Sequence, residues 1–146
     1  MTTPKIIFCD IGGVLLTNGW DREARKKAIK LFRLDATETE ERHHLSFDTY
    51  ESGKISLSEY LKRLVFYTKR DFSEDDFRAF MFEQSQPYTE MLDLIRGIKE
   101  KYGIKIAVVN NEGRELNNYR IHKFGMGLYR FADKPLFVTK DDQPGG

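Results

Sequence analysis

Asp10 closes the run Lys5-Ile6-Ile7-Phe8-Cys9, and Gly12 and Gly13 follow it almost at once. The run is short and apolar, bounded by Pro4 and the glycine pair, which is how a fully buried parallel strand reads. Glycines let the backbone turn sharply there. A carboxylate held at such a strand end can serve as a nucleophile or a metal ligand. It can equally be a turn residue that satisfies local amides, and position alone does not separate the two. Cys9 points to the opposite side of its strand from Asp10 and reads as a small buried hydrophobe. His43 and His44 are adjacent on a charged helical segment, so they point apart. With His122 they read as surface histidines rather than metal ligands. Gly12-Gly13 lacks the full dinucleotide fingerprint and no helix follows it directly, which argues against a nicotinamide or flavin site.

The elements that must position Asp10 follow from periodicity. Val14-Leu15-Leu16 runs briefly into a polar turn at Thr17-Asn18-Gly19, and from Trp20 to about Tyr102 the pattern is helical. Asp21 caps a helix through Phe32, a second helical piece covers about 37–45, and 47–54 reads as a turn. Ser56 with Glu59 forms a capping-box pattern for a helix to about Tyr67, and Ser73 with Asp76 opens another. Pro87 opens the last long helix, which stops at Tyr102-Gly103. Ile104–Val109 is a second buried strand, with the polar loop Asn110-Asn111-Glu112-Gly113 at its carboxyl end. A helix over 115–124 and a third strand over 135–139 complete the pattern, and the polar tail from Lys140 is expected to fray.

Open parallel sheets bind ligands at the carboxyl ends of their strands. The first insertion is far longer than a minimal crossover. The expected organisation is therefore an α/β core over residues 1–18 and 88–146, with a helical cap over 19–87 inserted in it. Trp20, Phe47, Tyr50, Phe66 and Phe82 are candidates for the cap–core cleft, with core packing as the alternative for each.

Composition bounds the rest. The chain has 146 residues, the size of one compact domain, with 40% hydrophobic and 32% charged residues. Lys plus Arg is 24 and Asp plus Glu 23, a net charge of +1, which gives no electrostatic footprint for nucleic acid or an anionic membrane. A single cysteine excludes an internal disulfide and a cysteine-based zinc site. No 18-residue apolar run or signal peptide is apparent, so a cytoplasmic location is expected. The basic run Arg22–Lys27 is interleaved and helical, a wet helix face.

Phe8-Cys9-Asp10-Ile11-Gly12-Gly13-Val14-Leu15 resembles the first motif of the haloacid dehalogenase (HAD) superfamily. Val108-Val109-Asn110-Asn111-Glu112-Gly113 falls where that family places its second motif, and the insertion between them resembles its type 1 cap. The resemblance covers roughly residues 5–139 and is nearest the branch with the phosphatase-like N-terminal domain of soluble epoxide hydrolases. It implies a Rossmann-like sheet and hydrolysis of a small phosphorylated metabolite through an aspartyl-phosphate on Asp10. Magnesium would lie against Asp10, with the Gly12 carbonyl as a further ligand. Gly12, Gly13, Asn110 and Asn111 would surround the phosphate.

The sequence departs from the family at several points. Gly12 stands where many phosphatases carry a second Asp as leaving-group acid, a loss worth 10² to 10⁴ in rate. Asn110 replaces the usual Ser or Thr hydroxyl, although an amide NH₂ can donate to the same oxygen. Lys134 precedes the third strand and Lys140 follows it; either stands in for the third-motif lysine only in part. Asp141-Asp142 follows the wrong strand for the fourth, acidic motif and reads as solvated tail. With no strand beyond the third, the Asp10 strand becomes an open edge that invites pairing with another chain, including a second copy. Two alternatives follow: a degenerate HAD-like protein that binds a partner through its cap or open edge, and a metal-independent dehalogenase in which Asp10 attacks carbon.

Overall fold

The structure is a computed structural model that describes residues 6–109, 113–124, 130–131, 134–135 and 137–138. The apolar run ahead of the glycine pair forms β1 (Ile6–Asp10). The helical stretch then makes five helices. Asp21 accepts from the Ala24 amide and opens α1 (Arg22–Phe32), which ends where Arg33 turns left-handed at φ 54°. Asp35 caps α2 (Ala36–Glu51), and Ser56 caps α3 (Leu57–Leu64). Ser73 and Asp76 form a reciprocal capping box at the start of α4 (Glu74–Glu83). After α5 (Thr89–Tyr102), Gly103 turns left-handed into β2 (Lys105–Val109). Then come α6 (Arg114–Lys123), β3 (Arg130–Phe131), β4 (Lys134–Pro135) and β5 (Phe137–Val138).

The expected α/β architecture with a parallel sheet is present. β1, β2 and β5 lie side by side in that order, parallel, with Ile6 opposite Lys105 and Asp10 opposite Val109. β3 and β4 form a separate antiparallel pair. One row of the sheet, Ile7, Cys9 and Ile106, packs under Leu92, Ile95 and Ile98 of α5 and Ile121 of α6. In the alternate row Phe8 is 66% exposed. A second apolar cluster lies wholly among the helices, around Trp20, Tyr50, Tyr60, Leu61, Phe77 and Met81. Two linkers join the clusters and pair with each other: Leu16 bridges Pro87 antiparallel, and the Thr17 amide donates to the Gln86 carbonyl at 2.8 Å.

Several boundaries differ from expectation. The 47–54 segment is not all turn, because α2 continues to Glu51. Tyr50 is buried two helical turns from His43, and this packing outweighs the weak propensities of Phe47, Asp48 and Thr49. α3 ends at Leu64 rather than near Tyr67, and Tyr67 instead lies under the Arg42 guanidinium, 3.4 Å from its ring centroid. Pro87 does not open α5; it sits in the linker ribbon, and the helix starts at Thr89. The third strand is represented by β4 and β5, separated by one residue.

Candidate functional site

Asp10 is the last residue of β1 and is exposed. The parallel register sets Val109 opposite it, so β2 ends level with Asp10 at the same end of the sheet. The chain leaves Asp10 through a tight turn in which the Ile11 carbonyl accepts from the amides of Val14, Leu15 and Leu16 at 3.0–3.2 Å. The Gly13 amide donates to the Leu16 carbonyl at 2.7 Å, with Gly13 at φ +75°, where a side chain would be strained. A side chain at Gly12 would meet another group: its Cβ would stand 3.0 Å from Asn18 Oδ1. The place where a second carboxylate would start is thus bordered by the Asn18 carboxamide. Asn18 carried no signal beyond its place in a polar turn.

Asn110 and Asn111 lie outside the described residues, as do Lys140, Asp141 and Asp142. Lys134 lies in β4, pairs with Phe131 and precedes β5. The described backbone resumes at Gly113, the N-cap of α6. A Cβ at Gly113 would collide with the Tyr50 ring, so this glycine admits an aromatic from the helical block directly beside the second loop. Two residues on, the Glu115 carboxylate accepts from the Leu57 amide at 2.9 Å and so caps the first turn of α3 from outside.

Three cavities border these elements. One of about 210 Å³ is lined by Tyr50, Lys54, Ser56, Arg114 and Glu115, which sets two cationic side chains near Gly113. One of about 450 Å³ reaches Gly13 and Val14 and is closed by Pro87, Tyr88 and Met91. The largest, about 620 Å³, lies between α4 and α6, where Phe82 stacks on Tyr119 with centroids 4.8 Å apart. Size therefore does not single out the chemistry, because only the middle cavity touches the Asp10 turn. Lys54 and Arg114 were missed in sequence because the residues that place them beside one cavity are some 60 positions apart.

Cys9 is buried, and burial first, then the neighbouring Asp10 charge, raises its thiol pKa, which keeps it protonated rather than nucleophilic. His43 corrects the surface reading: it is buried. The Trp20 indole donates to the Tyr60 hydroxyl at 2.9 Å, and that hydroxyl lies 2.8 Å from His43 Nδ1. The arrangement closes when Tyr60 donates to a neutral His43 protonated at Nε2. Burial, and then the Arg25 charge, push His43 down to about 4. Arg25 holds Glu40 through both carboxylate oxygens at 2.9 and 3.0 Å and lowers its pKa. His44 is exposed, and His122 Nδ1 lies 2.8 Å from the Asn118 carbonyl. Trp20 and Tyr50 belong to the helical core, while Phe82 faces the α4–α6 cavity.

Among the described residues no group of three or more His, Cys, Asp or Glu side chains is gathered as for a metal ion. Asp10 offers hard carboxylate oxygens on an exposed strand end. That suits magnesium, which commonly takes one or two carboxylates and completes its shell with waters and substrate phosphate. No helix among the described residues is long and apolar enough to cross a membrane.

No protein-family model and no curated protein matches the chain. Solved structures do. The chain is similar to the HAD family enzyme BT-2542 from Bacteroides thetaiotaomicron at 20% identity and a TM-score of 0.67, over 94% of this chain and 68% of that one. It is also similar to the wild-type form of that enzyme in complex with magnesium and inorganic phosphate, at 21% identity and a TM-score of 0.66, over 97% of this chain and 73% of that one. At these identities the likeness is one of fold.

Proposed function

We propose that this chain, which has the fold of the HAD-like hydrolases, is a magnesium-dependent phosphatase of a small phosphorylated metabolite. The observation that carries the reading is Asp10: an exposed carboxylate at the carboxyl end of β1, level with the end of β2. A similarly folded enzyme binds magnesium and phosphate, which supports the reading. On this reading the core of this chain is 1–18 with 88–146 and the cap 19–87.

An Asp10 oxygen attacks phosphorus in line, the bond to the leaving oxygen breaks, and an aspartyl-phosphate forms. Water then attacks that phosphorus, releases inorganic phosphate and restores the Asp10 carboxylate. Asn110 donates its amide to a phosphoryl oxygen, and Gly12, Gly13 and Asn111 line the phosphate with backbone and polar groups. The Asp10 carboxylate and the Gly12 carbonyl would hold magnesium, which when bound neutralises charge on the phosphoryl oxygens. With Gly12 in place of an acid, the leaving oxygen takes its proton from solvent. Aryl phosphates should therefore outrun alkyl phosphates by roughly 10² to 10⁴, the usual worth of a general acid.

The test is release of an aryl alcohol from its phosphate monoester with magnesium, with a chelator, and in Asp10→Asn. The reading expects turnover in magnesium only and its loss in the variant. Activity that persists in the chelator would point to metal-free chemistry, and no activity from folded protein would sink the hydrolase.

One observation favours a partner-binding protein as the second reading. β1 has a neighbour on one side only among the described residues, and its Phe8 is largely exposed. A second copy, paired antiparallel along the uncharged Ile6–Cys9 edge, is the occupant this reading names.

A further inference from the structure

Arg120 of α6 is a long cation with no exposed surface, placed where the two linkers cross. Its Nε donates to Ser85 Oγ at 2.9 Å, on the linker that returns from the helices. Its Nη2 donates to the Thr17 carbonyl at 3.3 Å, on the linker that leaves the sheet. Gly19, two residues beyond Thr17, lies so close that a Cβ there would collide with Nη2 and approach Ser85 Oγ to 3.1 Å. The linkers also bond to each other: Thr17 Oγ1 donates to the Gln84 carbonyl and accepts from the Gln86 amide, each at 2.9 Å. Ser85 Oγ and the Thr17 carbonyl are both neutral acceptors, and withdrawing a charge from water is costly. A planar fork with fixed donor directions can hold two strands of a ribbon at once; an ammonium cannot do so with the same geometry.

We propose that Arg120 is a positioning residue that pins both linkers to α6 and so fixes how the helical block stands over the carboxyl ends of β1 and β2. Rigid-body motion between packed units is absorbed by a few linker residues, and here those residues are the ones Arg120 holds. Its consequence for turnover rests on the phosphatase reading; its consequence for linker motion does not.

The experiment compares wild type, Arg120→Met, Arg120→Lys and Gly19→Ala by hydrogen exchange and by acrylamide quenching of Trp20. Trp20 is the single tryptophan, buried, and adjacent to Gly19. In Arg120→Met the amides of residues 15–20, 84–86 and 88 should exchange about tenfold faster while α3 and β2 keep wild-type protection, the pattern of a local opening. Trp20 quenching should rise about twofold. Arg120→Lys should recover part of both, and Gly19→Ala, which displaces the guanidinium without removing it, should reproduce them if Arg120→Met fails to fold. Exchange that rises equally in α3 and β2, or linkers that do not change, would overturn the proposal. Aryl phosphate turnover is read on the same proteins, where the pin predicts a fall in kcat of at least about tenfold with folding intact. A wild type without turnover would overturn the phosphatase reading and leave exchange to decide the role of Arg120.

Discussion

Gly113 leaves space that the Tyr50 ring fills, and any side chain there would push the ring or the backbone aside. Gly113→Ala should therefore destabilise the fold by roughly 1–3 kcal/mol, the usual cost of overpacking, seen as a lower urea midpoint. At the other loop, Gly12→Asp alone should restore little leaving-group catalysis, because Asn18 borders the new Cβ. Gly12→Asp with Asn18→Ala should recover more alkyl phosphate turnover than either change alone. His43 makes a prediction in pH. Its folded-state pKa of about 4 lies below the ordinary histidine value, so the unfolded chain takes up a proton that the folded chain refuses. Stability should be complete above about pH 6.5 and fall as pH drops towards 4, and His43→Gln should flatten the melting temperature over that window. Residues differed in how plainly the sequence showed them. Asp10 was visible because an apolar run and two glycines frame it. His43 was misread because its burial depends on Trp20 and Tyr60, which come from other elements. The Tyr50–Gly113 contact joins positions too far apart in sequence for any local pattern to show.

The helix starts with side-chain caps at Asp21, Ser56 and Ser73 were clear in the sequence and helix ends less so, for a physical reason. Asp21, Ser56 and Ser73 each accept a bond from an amide three residues on, and such caps are written in adjacent residues. The ends of α2 and α3 are set by packing around Tyr50 and by the exposed contacts of Tyr67, which are not local. The two expected capping boxes also separate. Ser73 and Asp76 exchange both bonds, and these bonds lower the Asp76 pKa. Ser56 accepts from the Glu59 amide, but the Glu59 carboxylate turns to Arg63 at 3.3 Å. Ser73→Ala should cost about 1 kcal/mol in urea unfolding. Glu115→Ala should cost about as much, by removing the acceptor for the Leu57 amide, even though it lies in α6.

For the whole molecule, the alternation of strand, helices, strand, helix and strand was enough to anticipate a parallel sheet, since parallel strands need crossovers and put their ligands at the carboxyl ends. The antiparallel β3–β4 pair had no signal, because each strand is two residues long. The linker ribbon was hidden too: Thr17 and Gln86 meet only once the four helices α1 to α4 have folded between them. If the edge of β1 pairs with a second copy, sedimentation should show a concentration-dependent dimer that Phe8→Glu abolishes. A monomer at all concentrations would remove that reading. The phosphatase account stands most directly on a covalent bond to one residue. Acid quenching of the protein with magnesium and an aryl phosphate, followed by peptide mapping, should find phosphate on Asp10 and none in Asp10→Asn. Phosphate on another residue, or turnover with no acyl-phosphate on Asp10, would contradict it.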